Sequence, residues 1–390
     1  MADREFDVII FGATGFTGRL VAEYIQKTYG ADVRWAMAGR SAEKLESVAA
    51  EMGVDASVPK ITADSADAAS LSAMAERTKV VITTVGPYQL YGTSLVEACV
   101  AAGTDYVDLC GEPAWMHDII GDYSNKAKAS GARIVLSCGF DSIPFDLGVY
   151  FLQQAAKEKF GAPCSEVRGR VRKMKGTFSG GTAASFAVTM QRAAKEPQVI
   201  GWLKDPFSLA PDFTGPAQPA GHKPIFEADI DSWAAPFIMA SINTKNVHRS
   251  NALLGHAYGE DFKYSEMMLT GPGEKGEAAA NFVAKDDSMS KNPPKPGEGP
   301  SKEERENGFY DVLFIGETAK GERIFAGVTG DKDPGYGSTS KMITEAGLCL
   351  ALDVDRAQTG GGVYTSAPAM GEALIKRLTK NAGLTFAIEG

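Results

Sequence analysis

A short apolar run that opens directly into three evenly spaced glycines constrains this chain more than any other stretch: Phe6-Asp-Val-Ile-Ile-Phe-Gly-Ala-Thr-Gly-Phe-Thr-Gly18. The β-type run predicts a buried strand, and Leu20, Val21, Tyr24 and Ile25 supply helical periodicity after the turn. Between them, Gly12 permits the tight turn, Gly15 lets backbone come close to a bound group, and Gly18 lets the helix pack tightly on the strand. Thr14, Phe16 and Thr17 fill the remaining places, so that helix amides and the helix dipole face a pyrophosphate. The spacing is G-x-x-G-x-x-G, and its place between strand and helix is what makes it a dinucleotide turn.

Residues 33–40 read as the second strand, whose end meets the adenosine ribose in a dinucleotide fold. An acidic residue there would bind a free 2′-hydroxyl. Here the position offers Arg40, followed by Ser41 and Lys44, and a guanidinium suits the 2′-phosphate of NADP(H). Residues 59–64 predict a third strand, with Asp64 either at the adenine edge or capping a helix. Residues 80–85 form a β-branched strand ending in Val85-Gly86-Pro87-Tyr88, which lies beyond a strand's carboxyl end and is expected on the nicotinamide side. Tyr88 either donates a proton or packs. Strands at 106–109 and 132–137 end near Asp108, Glu112 and Cys138, and Glu112 also reads as a helix-start acid. Cys138 is expected beside the cofactor, either as a nucleophile or, since no base pairs with it by sequence, as a buried inert thiol. Strands alternating with helices argue a parallel sheet covered on both faces.

From Cys164 the rhythm changes. Alternation places Arg168, Arg170 and Arg172 on one strand face, open to solvent, to an acidic substrate or to a subunit partner. Gly180, Gly181 and Thr182 open a helix whose first amides are expected to hold a substrate oxygen or to form a plain capped turn. Residues 281–308 form a long Pro/Gly-rich loop, either disordered or a lid, and an antiparallel hairpin follows at 309–316 and 322–329. The change of rhythm divides the chain at 1–150 (nucleotide-binding), 151–340 and 341–390 (helices expected to pack back on the first).

With 390 residues the chain is long enough for two domains, and its net charge of −9 argues against nucleic acid as a partner. Five scattered cysteines without a C-x-x-C pair read as reduced thiols in a cytoplasmic protein, with no metal site. No signal peptide or membrane-spanning run is visible, while peripheral membrane contact and a homodimer stay open.

The chain resembles the saccharopine dehydrogenase-like oxidoreductases, including the bacterial trans-acting enoyl reductases, over nearly its full length. The likeness rests on the glycine turn, Ala38-Gly-Arg40, Gly86-Pro-Tyr88 and Asp108-Leu-Cys-Gly-Glu112 in the first half. It continues in Cys138-Gly-Phe-Asp-Ser-Ile-Pro144, Ser179-Gly-Gly-Thr182, Pro296-Gly-Glu-Gly-Pro-Ser301, Asp333-Pro-Gly-Tyr336 and Gly361-Gly-Val363. The resemblance implies α/β architecture: an NADP-binding Rossmann-type doubly wound sheet followed by an α+β substrate domain. It also implies hydride transfer from NADPH to an activated double bond, foremost the C=C of an enoyl, lipid-like small molecule. Tyr88 is then the expected proton donor, with Asp141 and Ser142 as orienting groups. Imine reduction of the saccharopine type, or a non-catalytic NADP-sensing regulator, are the alternatives.

Overall fold

The computed structural model describes residues 4–177, 180–286 and 298–390. Strands β1 (Phe6–Phe11), β2 (Trp35–Gly39), β3 (Lys60–Thr62), β4 (Thr78–Thr83), β5 (Asp105–Val107) and β6 (Arg133–Val135) are joined by helices. With β13 (Gly362–Tyr364) they form a wholly parallel sheet in the order β13-β6-β5-β4-β1-β2-β3. Every residue of β1 is buried, because alternate side chains enter different cores. Val8, Ile10, Val80 and Ile82 share one apolar cluster; Ile9, Phe11, Val81 and Tyr106 share the other. That is why the strand sequences read as continuous β-branched runs.

Strands β5 and β6 are shorter than their sequence suggests. The Asp108 carboxylate accepts the amides of Cys110 (3.0 Å) and Ser137 (2.8 Å), which takes the chain out of the ladder at the sheet's carboxyl end. The region 341–390, expected to be helical, contains helices Thr339–Leu352 and Ser366–Arg377 and also two strands, β13 and β14 (Leu384–Glu389). Its first helix lies on the first sheet, so closely that a Cβ on Gly347 would sit 2.7 Å from Ile82.

The second sheet runs β14-β12-β11-β7-β10-β9-β8, from β7 (Cys164–Lys175), β8 (Ile225–Glu227), β9 (Ser232–Pro236), β10 (Lys263–Gly271), β11 (Phe309–Thr318) and β12 (Arg323–Gly330). Only β7 and β10 pair in parallel; β11 and β12 form the expected hairpin, from Tyr310 opposite Gly330 to Glu317 opposite Arg323. Helix Ile143–Phe160 connects the two sheets. It starts where β6 ends and presses on β11, where a Cβ on Gly148 would fall 2.4 Å from the Phe314 ring. Its Gln153 side chain brackets the start of β7, bonding both the amide and the carbonyl of Cys164 at 2.8 Å. Asp146, on its first turn, is buried and accepts Ser250, Ser366 (2.8 Å) and the Ala367 amide (2.8 Å). One carboxylate thus joins three distant segments.

Candidate active site

Between β1 and the helix Phe16–Thr28 the chain makes a turn that only glycine fits. Gly12 has φ +88°, its amide donates to the Ala38 carbonyl at 3.0 Å, and a Cβ there would meet Val85 Cγ2 at 2.6 Å. A Cβ on Gly18 would lie 2.1 Å from the Gly12 oxygen. Gly15 is the N-cap residue and supplies no side-chain cap, so the first helical amides face outward from the turn. Thr14, Phe16 and Thr17 are half-buried around it.

At the end of β2, Arg40 is exposed and has no ion-pair partner among the described residues. Ser41 caps the next helix through the Lys44 amide (3.2 Å), leaving the Lys44 side chain exposed. The capping role considered for Asp64 belongs instead to Asp67, whose carboxylate accepts the amides of Ala69 and Ser70. Asp64 closes a small turn onto the Ala66 amide at 3.0 Å and stays half-buried at the rim.

Beyond β4, Val85 packs under Gly12, and Gly86-Pro87 leads into Tyr88. Tyr88 is buried, and its hydroxyl is engaged on both sides: it donates to the Thr83 carbonyl (3.3 Å) and accepts the Leu109 amide (3.0 Å). Burial and the nearby Asp108 push its phenol well above the ordinary range. Tyr88 therefore braces the ends of β4 and β5, and this geometry opposes the proton-donor expectation. Its amide and that of Gln89 bind Glu112 at 2.8 and 2.9 Å, and Ser185 donates to the same carboxylate at 2.7 Å. Glu112 stands at the start of the helix Pro113–Ser130, yet its carboxylate caps a neighbouring turn and ties down the helix Gly180–Lys195.

Cys138 is the buried, inert thiol expected, against the Val135 carbonyl (3.6 Å) and raised by burial far above the usual thiol range; being wholly buried, its side chain does not present the cofactor contact also expected of it. The Gly180 expectation is corrected. The Gly180 amide donates to the Glu298 carbonyl at 3.2 Å rather than to a substrate oxygen. The Thr182 hydroxyl lies 3.3 Å from that of Tyr336. Residues 287–297 of the expected lid lie outside the described residues.

The Asp141-Ser142 turn behaves differently. Asp141 is half-buried, its carboxylate has no hydrogen-bond partner among the described residues, and burial raises it to about 7. A Cβ on Gly111 would come within 3.1 Å of Asp141 Oδ2. Ser142 accepts Asn246 Nδ2 at 2.8 Å. One helical turn earlier, Asn243 donates to Glu266 at 2.9 Å, and Tyr264 donates to the same carboxylate at 2.8 Å. Burial lifts Glu266 to about 8.

A family model for the saccharopine dehydrogenase NADP binding domain matches residues 8–135. The chain is 43% identical to a putative trans-acting enoyl reductase of Mycobacterium tuberculosis, over 96% of each chain. It is 38% identical to a trans-acting enoyl reductase of Mycobacterium bovis, over 97% of this chain and 96% of that one. The chain belongs to the trans-acting enoyl reductase family. The fold of this family member also matches apo saccharopine dehydrogenase (L-Glu forming) of Saccharomyces cerevisiae, with a TM-score of 0.55 across 99% of this chain and 100% of that one. At 12% identity that likeness concerns the fold alone.

The family member is an NADP-dependent oxidoreductase. Its own residues fit the cofactor: the cradle that a Cβ would fill at Gly12 and Gly18, the outward amides after Gly15, and at the end of β2 the exposed Arg40 guanidinium, without an ion pair among the described residues. Among the described residues no helix is long and apolar enough to cross a membrane, and no cluster of His, Cys, Asp and Glu is arranged to hold a metal ion. Sequence reasoning missed Asn243, Asn246 and Glu266. The first two sit on a polar stripe of the helix Ala240–Leu253 that matches no motif, and in the fold that stripe is buried.

Proposed function

We propose that this oxidoreductase reduces the C=C bond of an activated enoyl, lipid-like substrate, with Asp141 as the proton donor. The hydride comes from NADPH when it is bound. In this reading Gly12, Thr14, Gly15, Phe16, Thr17 and Gly18 enclose the pyrophosphate. Arg40 and Lys44 hold the 2′-phosphate, Asp64 borders the adenine, and Val85, Gly86 and Pro87 line the nicotinamide side. Asp141 holds a proton near neutral pH and delivers it to the carbon next to the carbonyl as hydride reaches the β-carbon, so the double bond gains one hydride and one proton. Ser142, fixed by Asn246, positions the turn that carries Asp141. Thr182 lines the substrate side.

The observation that carries the choice of C=C over an amino-acid-derived imine is the engagement of the β7 arginines. Gly169 faces Tyr264 and Phe314, so alternation puts Arg168, Arg170 and Arg172 on the sheet's other face. There Arg168 pairs with Glu227 (2.7 Å) and Asp229, Arg170 with Glu227 (2.6 Å), and Arg172 with Asp311 and Glu389 (both 2.7 Å). The cavity of about 420 Å³ that Arg168 and Arg170 help to line belongs to that face, and their guanidiniums are already neutralised. An amino dicarboxylate needs free cations in the crevice, whereas an enoyl lipid does not. The relatives named enoyl reductases support the same reading.

The test is single turnover with deuterated NADPH and a short 2-enoyl thioester, run beside an oxo acid with an amine. Deuterium at the β-carbon of a saturated product supports the proposal. Deuterium only in a secondary amine would refute it.

A further inference from the structure

The second half of the chain reaches the glycine turn at the Phe16 side chain. Its ring meets Tyr336 edge-on at 5.1 Å between centroids, and a Cβ on Gly299 would come within 2.6 Å of it. The Arg305 guanidinium lies over the same ring, 5.6 Å from its centre. Arg305 is set there by a short helix, Lys302–Glu306, whose start is locked by the reciprocal Ser301–Glu304 capping box. The Arg305 carbonyl accepts the Asp333 amide at 3.0 Å, which joins this helix to the Pro334–Ser338 turn that carries Tyr336.

What the guanidinium lacks is a carboxylate. Its one hydrogen bond is from Nη1 to the Pro300 carbonyl at 2.7 Å, and it forms no ion pair among the described residues. Asp333 is near enough to feel its charge, but its carboxylate oxygens accept the Tyr336 and Gly337 amides at 3.0 and 2.7 Å. The other arginine of the turn, Arg19, is paired with Glu51 at 2.9 Å. Phe16 is the first residue of the helix whose amides face the cofactor's phosphates. A half-buried, unneutralised guanidinium stacked on that residue faces the same anion.

We propose that Arg305 is a pyrophosphate ligand supplied by the second half of the chain, clamping the cofactor from the side opposite the glycine turn. This rests on the cofactor reading, and it separates two cations by position. Arg40, at the end of β2, meets the 2′-phosphate that only NADPH carries. Arg305, over the turn after β1, meets the pyrophosphate that NADPH and NADH share. The clamp also gives the Phe16 ring a role, as the aromatic surface beneath the Arg305 guanidinium.

The test is equilibrium binding of NADPH and of NADH to the full chain, by nicotinamide fluorescence across a salt series. Arg305→Gln is expected to weaken both nucleotides by a similar factor, about 10- to 100-fold, and to flatten the salt dependence. Arg40→Ala should weaken NADPH alone. Arg305→Lys, which keeps the charge but not the fork, should fall between parent and Arg305→Gln, and it serves in place of Arg305→Gln should that variant not fold. Unchanged affinity for both nucleotides overturns the proposal, and so does a loss confined to NADPH. A parent chain that binds neither nucleotide overturns the cofactor reading and this inference with it, whereas a binding parent with an indifferent variant overturns this inference alone.

Discussion

Replacing Asp141 with asparagine should make the protein more stable and nearly inactive, and the gain should depend on pH in a defined direction. Burial raises this carboxyl from the ordinary 3.8 to about 7, so the folded chain binds a proton that the unfolded chain releases. Stability therefore falls as pH rises between those two values, and the full penalty is present above about pH 7. The undiscounted figure is about 4 kcal/mol. Because the group is half-buried, solvent screening reduces the expected cost to about 2–3 kcal/mol. Asparagine removes this cost while keeping the shape. Urea unfolding of parent and Asp141→Asn at about pH 5 and about pH 8 should show the variant's advantage growing by about 1.5–2 kcal/mol over that interval. The same substitution should slow single-turnover reduction by about 100- to 10,000-fold. A stability difference that does not change with pH, or one that favours the parent at the higher pH, would refute the electrostatic argument. Undiminished turnover would remove Asp141 from the chemistry.

Tyr88→Phe should cost about 1–3 kcal/mol of stability, because the Leu109 amide loses its acceptor, while single-turnover reduction stays within about threefold of the parent. A rate loss of about 100-fold or more would return the proton-donor role to Tyr88. Glu112→Ala strands the buried Tyr88 amide, the part-buried Gln89 amide and the Ser185 hydroxyl, so thermal unfolding should register a loss of about 2–4 kcal/mol. Limited proteolysis of that variant should cut first in the helix Gly180–Lys195, which Glu112 restrains; an unaltered cleavage pattern would contradict this tie.

The parts of the fold readable in the sequence are those decided by local backbone chemistry. Three glycines between a β-branched run and an amphipathic helix have few other uses, and a hairpin announces itself by alternation on either side of Ala319-Lys-Gly321. β13 escaped notice because a three-residue strand with one buried valine carries no period, and its place beside β6 is set by tertiary packing. At the site, positions were easier to read than roles. Tyr88 lies beyond β4 as expected, but only the fold reveals that its hydroxyl bridges Thr83 and Leu109. Gly180 opens a helix, yet its amide meets a carbonyl from a loop more than a hundred residues away. Asn243 and Asn246 match no motif, and only in the fold do β10 and the helix Ile143–Phe160 cover them.

The position of β13 has a consequence for how the protein is made. The nucleotide-binding sheet acquires its seventh strand from residues 362–364, and the helix that shields Ile82 begins only at Thr339. A ribosome releases the first six strands long before either arrives. Until then the nascent sheet shows the part of one apolar face around Ile82 and Val107 and a bare β6 edge to its surroundings, both of which invite association. The cofactor-binding half is therefore the first to be synthesised and among the last to be finished, and a chain truncated ahead of residue 339 should persist in a cell only under the protection of chaperones.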